Sequence, residues 1–378
     1  MDKHPTVHVS LDLRRKKRCS YAQSIHTNQR QQQKQYRSST INSSSRISPL
    51  DISMTTPKNL SMTILTPFLR WNSTGLTVAG VGGLSGSTPD KLNAPIDLAV
   101  DFSNTLYIAD FNNNRIQQWL TGASNGTTVA GQANGAHGTG AAYLNAPAGV
   151  IIDSNNNIYV SDSINARIQK WTNGATTGTQ IAGTGSSGSA YNQFHTPYFI
   201  SQDINTNTLY IADYNNHRVM SYASGASNGT LVIGGQGPGI NSTQLYYPVG
   251  IHFDSVSNSL LIANYGGQHI VRWTLGENNW TLVAGTPGIV GSSSTHLSYP
   301  TGVTLDPMGN MYVADTGNHR IQLFLAGQTN GTTIAGITGL GGSNSTQLNF
   351  PYSIRFDNQL NLWVADTMNH RIQKFLRY

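Results

Sequence analysis

Cysteine and glutamate are nearly missing from this 378-residue chain: Cys19 and Glu277 are the only ones. One cysteine can close no disulfide within the chain and build no Cys-based zinc site. Packing and hydrogen bonding must therefore hold the fold. With glutamate scarce and glycine, serine, threonine and asparagine abundant, the composition feeds strands and turns rather than helices. Long apolar runs are missing too. None approaches the roughly 18 residues that a membrane-spanning helix needs, and the opening MDKHPTVHVSLDLRRKKRC lacks the apolar centre of a secretory signal.

The body of the chain also lacks positive charge, although the formal net charge is +6. Residues 1–70 carry 12 Lys/Arg against 3 Asp, a balance of +9, whereas residues 71–378 carry 11 against 14, a balance of −3. Nucleic acid needs many phosphate contacts from Lys and Arg, so it is not an expected partner of the body. Residues 1–70 are polar, rich in Gln and Ser, and without hydrophobic periodicity, which predicts a disordered basic tail. Its run Arg14-Arg15-Lys16-Lys17-Arg18 is read as solvated, the alternatives being a nuclear import signal or a contact with an anionic surface.

What is there, from residue 71 to residue 378, is repetition. Pro95, Pro147, Pro197, Pro248, Pro300 and Pro351 follow one another at intervals of 52, 50, 51, 52 and 51 residues. Each opens the same phrase, seen most clearly in PTGVTLDPMGNMYVADTGNHRIQLF from Pro300 to Phe324. A fixed period of this length signals stacked units of one supersecondary design. Each unit breaks into four short strands. The first follows the proline and the second is almost wholly apolar, as in Met311-Tyr312-Val313-Ala314. The third alternates, as in Arg167-Ile168-Gln169-Lys170-Trp171, and the fourth is TVAG-like.

Four antiparallel strands repeated six times predict an all-β, six-bladed β-propeller. One TVAG-like strand, Thr77–Gly80, precedes the first proline phrase, and none follows the last. It is expected to complete the sixth blade and close the ring, removing two open edges.

Most acids of the body recur with the repeat. Asp101, Asp153, Asp203, Asp254, Asp306 and Asp357 fill the turn after the first strand. Asp110/Arg115, Asp162/Arg167, Asp213/Arg218, Asp315/Arg320 and Asp366/Arg371 bracket the turn between the second and third. A short carboxylate there can bond backbone N–H groups and pair with the arginine. A catalytic site is needed once, so residues that recur read as scaffold. Only Asp90, Asp97 and Glu277 stand outside the pattern, which leaves few carboxylates for acid–base chemistry.

The segments Tyr312–Gln322 (YVADTGNHRIQ) and Val364–Gln373 (VADTMNHRIQ) resemble the NHL repeat. The resemblance covers residues 74–378 and implies a six-bladed, TolB-like propeller. Blade 4 departs from the motif, with Asn264 in place of the aspartate and His269 in place of the arginine. Some propellers of this type are enzymes: the peptide-amidating lyase resembles this chain and holds zinc through histidines. His217, His319 and His370 occupy equivalent positions in separate blades, which keeps them apart, so no metal and no cofactor is expected. Tripartite-motif ubiquitin ligases carry similar propellers, but their zinc module needs cysteines that this chain lacks.

Non-repeated residues are the candidates for ligand contact. Along the first strand of each blade one column reads Ala99, Ile151, Ser201, His252, Thr304 and Arg355. Asp97 stands where blades 2, 4 and 5 carry glycine. Asp97, His252 and Arg355 should therefore line the central channel. Phe111, Tyr214 and Tyr265, after the second strand, should share the top face with tyrosines beside the prolines (Tyr198, Tyr247, Tyr299, Tyr352) and with long loops such as Gly80–Ala94. Asn125, Asn228, Asn279 and Asn330 begin glycosylation sequons before the fourth strand, and Asn241 and Asn344 do so in a top loop, a lean towards an extracellular setting. The expectation is a monomeric, non-enzymatic scaffold whose top face takes a protein, peptide or glycan. The competing expectations are a channel-mouth hydrolase or lyase and the substrate-recognition half of a ubiquitin-ligase system.

Overall fold

The computed structural model describes residues 69–378. The tail expected over residues 1–70, with its basic run and Cys19, lies outside the described residues except for its last two positions. Strand β1 (Leu76–Ala79) comes first. Blade 1 is β2 (Pro95–Val100), β3 (Leu106–Asp110), β4 (Arg115–Trp119) and β5 (Thr127–Gly131). Blade 2 is β6 (Pro147–Ile152), β7 (Ile158–Asp162), β8 (Arg167–Trp171) and β9 (Thr179–Gly183). Blade 3 is β10 (Pro197–Asp203), β11 (Thr208–Asp213), β12 (Arg218–Tyr222) and β13 (Thr230–Gly234). Blade 4 is β14 (Pro248–Asp254), β15 (Ser259–Asn264), β16 (His269–Thr274) and β17 (Thr281–Gly285). Blade 5 is β18 (Pro300–Leu305), β19 (Met311–Asp315), β20 (Arg320–Phe324) and β21 (Gly331–Gly336). Blade 6 is β22 (Pro351–Phe356), β23 (Leu362–Asp366) and β24 (Arg371–Phe375), completed by β1.

Every blade is a four-stranded antiparallel sheet. The ring closes as the sequence requires. Strand β1 pairs with β24, Leu76 opposite Lys374 and Thr77 opposite Gln373, and Trp71 bridges Arg377. The first strands β2, β6, β10, β14, β18 and β22 touch in succession, with β22 returning to β2, so they surround the axis. Among the described residues no helix is long and apolar enough to cross a membrane.

Core residues sit between blades, because the second strands are covered on both faces. All five residues of β3, β19 and β23 are buried. Between blades 6 and 1, Ala79 of the closing strand packs with Leu98, Ile108, Trp363 and Ile372. Truncating one such residue, as in Ile108→Ala, costs about 2–5 kcal/mol through the cavity it leaves. Neighbouring first strands also approach closely. A Cβ on Gly149 or Gly302 would meet the carbonyl of Tyr198 or Tyr352 in the next blade, at 2.6 and 2.8 Å. Glycine is needed there.

The long connections behave otherwise than expected. Each starts and ends at the top but descends between blades to the start of the next blade's outer strand. In every blade one hydrogen bond marks the landing: Gly126 to Pro89, Gly178 to Ala141, Gly229 to Tyr191, Trp280 to Ser242, Gly331 to Ser294 and Gly75 to Ser345. These loops are pinned wedges that fill the gap left as flat blades splay outward. The loop carrying Asn241 and Asn344 is thereby drawn off the top face, and the Ser242 hydroxyl donates to Asn279 at 2.7 Å.

Candidate functional site

The Asp–Arg pairs are clips within one blade. Arginine Nε meets the carboxylate at 2.7–2.8 Å in blades 1, 2, 3, 5 and 6, with both partners buried. The other carboxylate oxygen accepts the backbone N–H of the residue two before the blade's proline, for example Asn93 to Asp110 and Ser298 to Asp315. The guanidinium then donates to wedge-loop carbonyls, as Arg218 does to Ala190 and Gln193. The turn aspartates accept N–H groups of their own turn, Asp306 from Met308 and Asn310 among them. All of these carboxylates are engaged in holding backbone.

The histidines join blades. His217, His319 and His370 each have positive φ, 53–56°, at the turn between the second and third strands. Their Nδ1 atoms accept the N–H of the residue before the next proline: Tyr247 at 3.1 Å, Phe350 at 3.2 Å and Ala94 at 3.0 Å. Asn114 and Gln268 do the same with side-chain oxygens towards Ala146 and Tyr299. Burial holds all three imidazoles below the usual histidine value, which suits an acceptor nitrogen.

The channel candidates divide. Asp97 is fully buried; it accepts Ser353 Oγ at 2.6 Å and Arg355 at 3.0 Å through Oδ1, and the Val150 N–H at 3.0 Å through Oδ2. It thus ties blade 1 to both neighbours. Burial pushes its carboxyl up, against the pull of Arg355 and Ser353. Among the described residues His252 makes no hydrogen bond, and the Arg355 cation reaches it only through its electrostatic field. Its imidazole is lowered to about 4, first by burial and then by the Arg355 cation, so it is neutral at pH 7. Phe111, Tyr198 and Tyr352, from blades 1, 3 and 6, pack against an apolar cluster containing Ile96 and Phe199.

On the top face the structure does bring the aromatics together. Where blades 2, 5 and 6 place Ser163, Thr316 and Thr367, each hydroxyl bonds the carbonyl of the next blade's proline. Blades 3 and 4 place Tyr214 and Tyr265 there and give up that bond. Tyr198, Tyr214, Tyr247 and Tyr246 form a row of rings with centroids 4.8, 4.6 and 5.0 Å apart. Tyr265 lies 6.3 Å from Tyr214 and 5.0 Å from Tyr299. Tyr246 and Tyr299, 37% and 42% exposed, end the array. The sequence marks most of these positions one by one; Tyr246 it does not, because only its stacking on Tyr247 draws it in.

Comparison with known proteins follows the same lines. The NHL repeat model matches residues 92–119, 297–324 and 348–375, the first three strands of blades 1, 5 and 6. NHL repeat-containing protein 3 of Homo sapiens is 32% identical over 109 residues, 28% of this chain, and the match spans only 31% of that protein's length. An auxiliary nutrient binding protein of Bacteroides ovatus superposes with a TM-score of 0.60 at 14% identity, over 82% of this chain and 78% of that one. A gluconolactonase of Xanthomonas campestris does so with a TM-score of 0.56 at 13% identity, over 82% and 95%. At such identities the likeness is one of fold alone.

Proposed function

For this chain, a six-bladed propeller built of NHL repeats, we propose a non-enzymatic binding role, with the ligand seated on the tyrosine array over blades 3 to 5. The observation that carries it is the division of labour among polar groups. The recurring acids and the Asn-His-Arg histidines are committed to backbone and blade contacts, whereas the array's phenols have no such duty. Asp97, the one non-repeated buried acid among the described residues, bridges three blades, and the hydroxyl bonded to it, Ser353 Oγ, is spent donating to its carboxylate at 2.6 Å. Large rigid amphipathic rings on a well-supported frame make effective contact area at small entropic cost. Because the wedge loops are pinned, recognition falls to side chains on the rim rather than to loop movement.

The test is a binding screen of the purified chain against peptide and glycan libraries, repeated with Tyr214→Ala/Tyr265→Ala and with Asn228→Ala at the opposite end. Binding that the tyrosine pair abolishes and the control leaves intact supports the reading. Turnover of lactone, ester or peptide substrates with no stable complex would reject it in favour of an enzyme.

A further inference from the structure

Resting on that binding role, we infer that the occupant of the array is a neutral oligosaccharide. Three features of the array select it. Among the described residues, the hydroxyls of Tyr198, Tyr214, Tyr246, Tyr247, Tyr265 and Tyr299 have no hydrogen-bond partner, yet none of these oxygens is sealed from solvent. Such a concentration of free phenols, each both donor and acceptor, matches a ligand equally dense in hydroxyls. Burial and neighbouring phenols hold Tyr214 well above the usual tyrosine value, and Tyr265 is raised as well, so both stay protonated donors at physiological pH.

Ring geometry is the second feature. Within the row the planes meet at 36°, 24° and 29°. Rings so nearly parallel make a shelf that offers edges and hydroxyls, not a box whose faces surround a cation. The terminal rings, Tyr246 and Tyr299, are the most exposed of the six and the ones a ligand reaches first. A pyranose offers the complement, an apolar C–H face and a belt of hydroxyls. The array is longer than one sugar ring, so an oligosaccharide fits it better than a monosaccharide.

The third feature is what the array lacks. Arg218 beneath it is occupied by Asp213 and by the carbonyls of Ser189, Ala190 and Gln193. His217 accepts a backbone N–H and is held neutral. Among the described residues, neither Arg218 nor His217 is left as a free cation to attract an acidic ligand. Peptides are usually held by an exposed strand edge, a groove for side chains or a basic cluster. The free strand edges here are those of the fourth strands, on the outside of the ring, and of the first strands, which face the axis; neither belongs to the tyrosine array.

The full chain should be screened on an array of neutral, sialylated and sulfated oligosaccharides together with synthetic peptides, and hits titrated by calorimetry. Neutral oligosaccharides are expected to bind. Tyr246→Ala and Tyr299→Ala should each weaken binding about tenfold, and Tyr214→Phe several-fold, the scale of one lost contact or hydrogen bond. Melting temperature checks that the fold survives, and Tyr299→Phe serves if alanine unsettles it. Binding confined to peptides or charged glycans, and lost in the tyrosine variants, overturns the saccharide assignment while the binding role stands. Neutral-glycan binding that ignores every variant overturns both, and no neutral-glycan binding at all overturns the assignment.

Discussion

Blade 4 and its five neighbours solve one structural problem with different chemistry. Where the others use a buried Asp–Arg pair, blade 4 uses Asn264 and His269. Asn264 Oδ1 accepts the Tyr246 N–H at 2.6 Å, just as the aspartates accept theirs. Its Nδ2 faces His269 Nε2 at 3.1 Å, and His269 Nδ1 donates to the Gly267 carbonyl at 2.6 Å. The wedge-loop carbonyl that arginine holds elsewhere is taken over by Trp280, whose Nε1 donates to Gln244 at 3.0 Å. Trp280 stands where the other blades have glycine, and its ring lies 5.2 Å from His269. Three substitutions thus reproduce one clip without charge. What the fold requires is the hydrogen-bond pattern, and that is why five repeated Asp–Arg pairs need no catalytic explanation.

The sharpest break between the two designs comes from removing the acceptor. Asp315→Ala leaves the Arg320 guanidinium buried without its counter-ion and should cost about 3–5 kcal/mol. Asn264→Ala leaves only neutral groups unpaired and should cost about 1–3 kcal/mol. Denaturant unfolding of the two variants checks the order; equal losses would mean that charge is irrelevant to the clip.

A smaller net effect is expected from converting blade 4 to the common design. Asn264→Asp alone introduces a buried carboxylate with no cation and should destabilise the fold. Adding His269→Arg and Trp280→Gly opens the space that the guanidinium needs and returns donors to Asn241 and Gln244. The triple variant should lie within about 2 kcal/mol of wild type, with coupling between contacting sites of about 0.5–3 kcal/mol. Additive losses would show that the three positions do not act together.

Much of this architecture is legible in the amino-acid sequence. The proline period sets six blades, and the displaced TVAG-like strand sets the closure, because both are patterns of residue type. Asp97 and Arg355 can be placed together because they sit in the first strands of blades that the closure makes neighbours. The departures at Asn264 and His269 are visible, but nothing links Trp280 to them, since a donor replacing a guanidinium across space has no spacing rule. The pinned loops escape the sequence for a related reason. Their landing bonds run backbone to backbone, and only the recurring glycine before the outer strand hints at them. Aromatic positions on the rim are readable; which ring stacks on which depends on blade twist and wedge packing.

The mildest way to separate the two designs is acid. His269 is buried and its imidazole is held below the usual histidine value, with the Gly267 carbonyl pulling the other way. A histidine whose folded value lies below its unfolded one binds its proton more readily in the unfolded chain. Its stabilising share is complete above the unfolded value of 6.5 and fades as pH falls below it. His252, lowered to about 4, adds to the same trend, as do the three blade-joining histidines. These histidines therefore favour a lower melting temperature at pH 5 than at pH 7, a drop opposed by the buried carboxyls of Asp97, Asp110, Asp213, Asp306, Asp315 and Asp366, which burial raises. His269→Gln can keep a donor to Gly267 and an acceptor for Asn264 without titrating, so it should shrink that drop by the share of one site. The charged clip of blade 5 contains no histidine, and burial raises rather than lowers its Asp315 carboxyl, so that clip does not contribute to a loss of stability on acidification. If His269→Gln leaves the pH 5 to pH 7 difference as large as before, the neutral clip does not sense acid and blade 4 differs from its neighbours in shape alone.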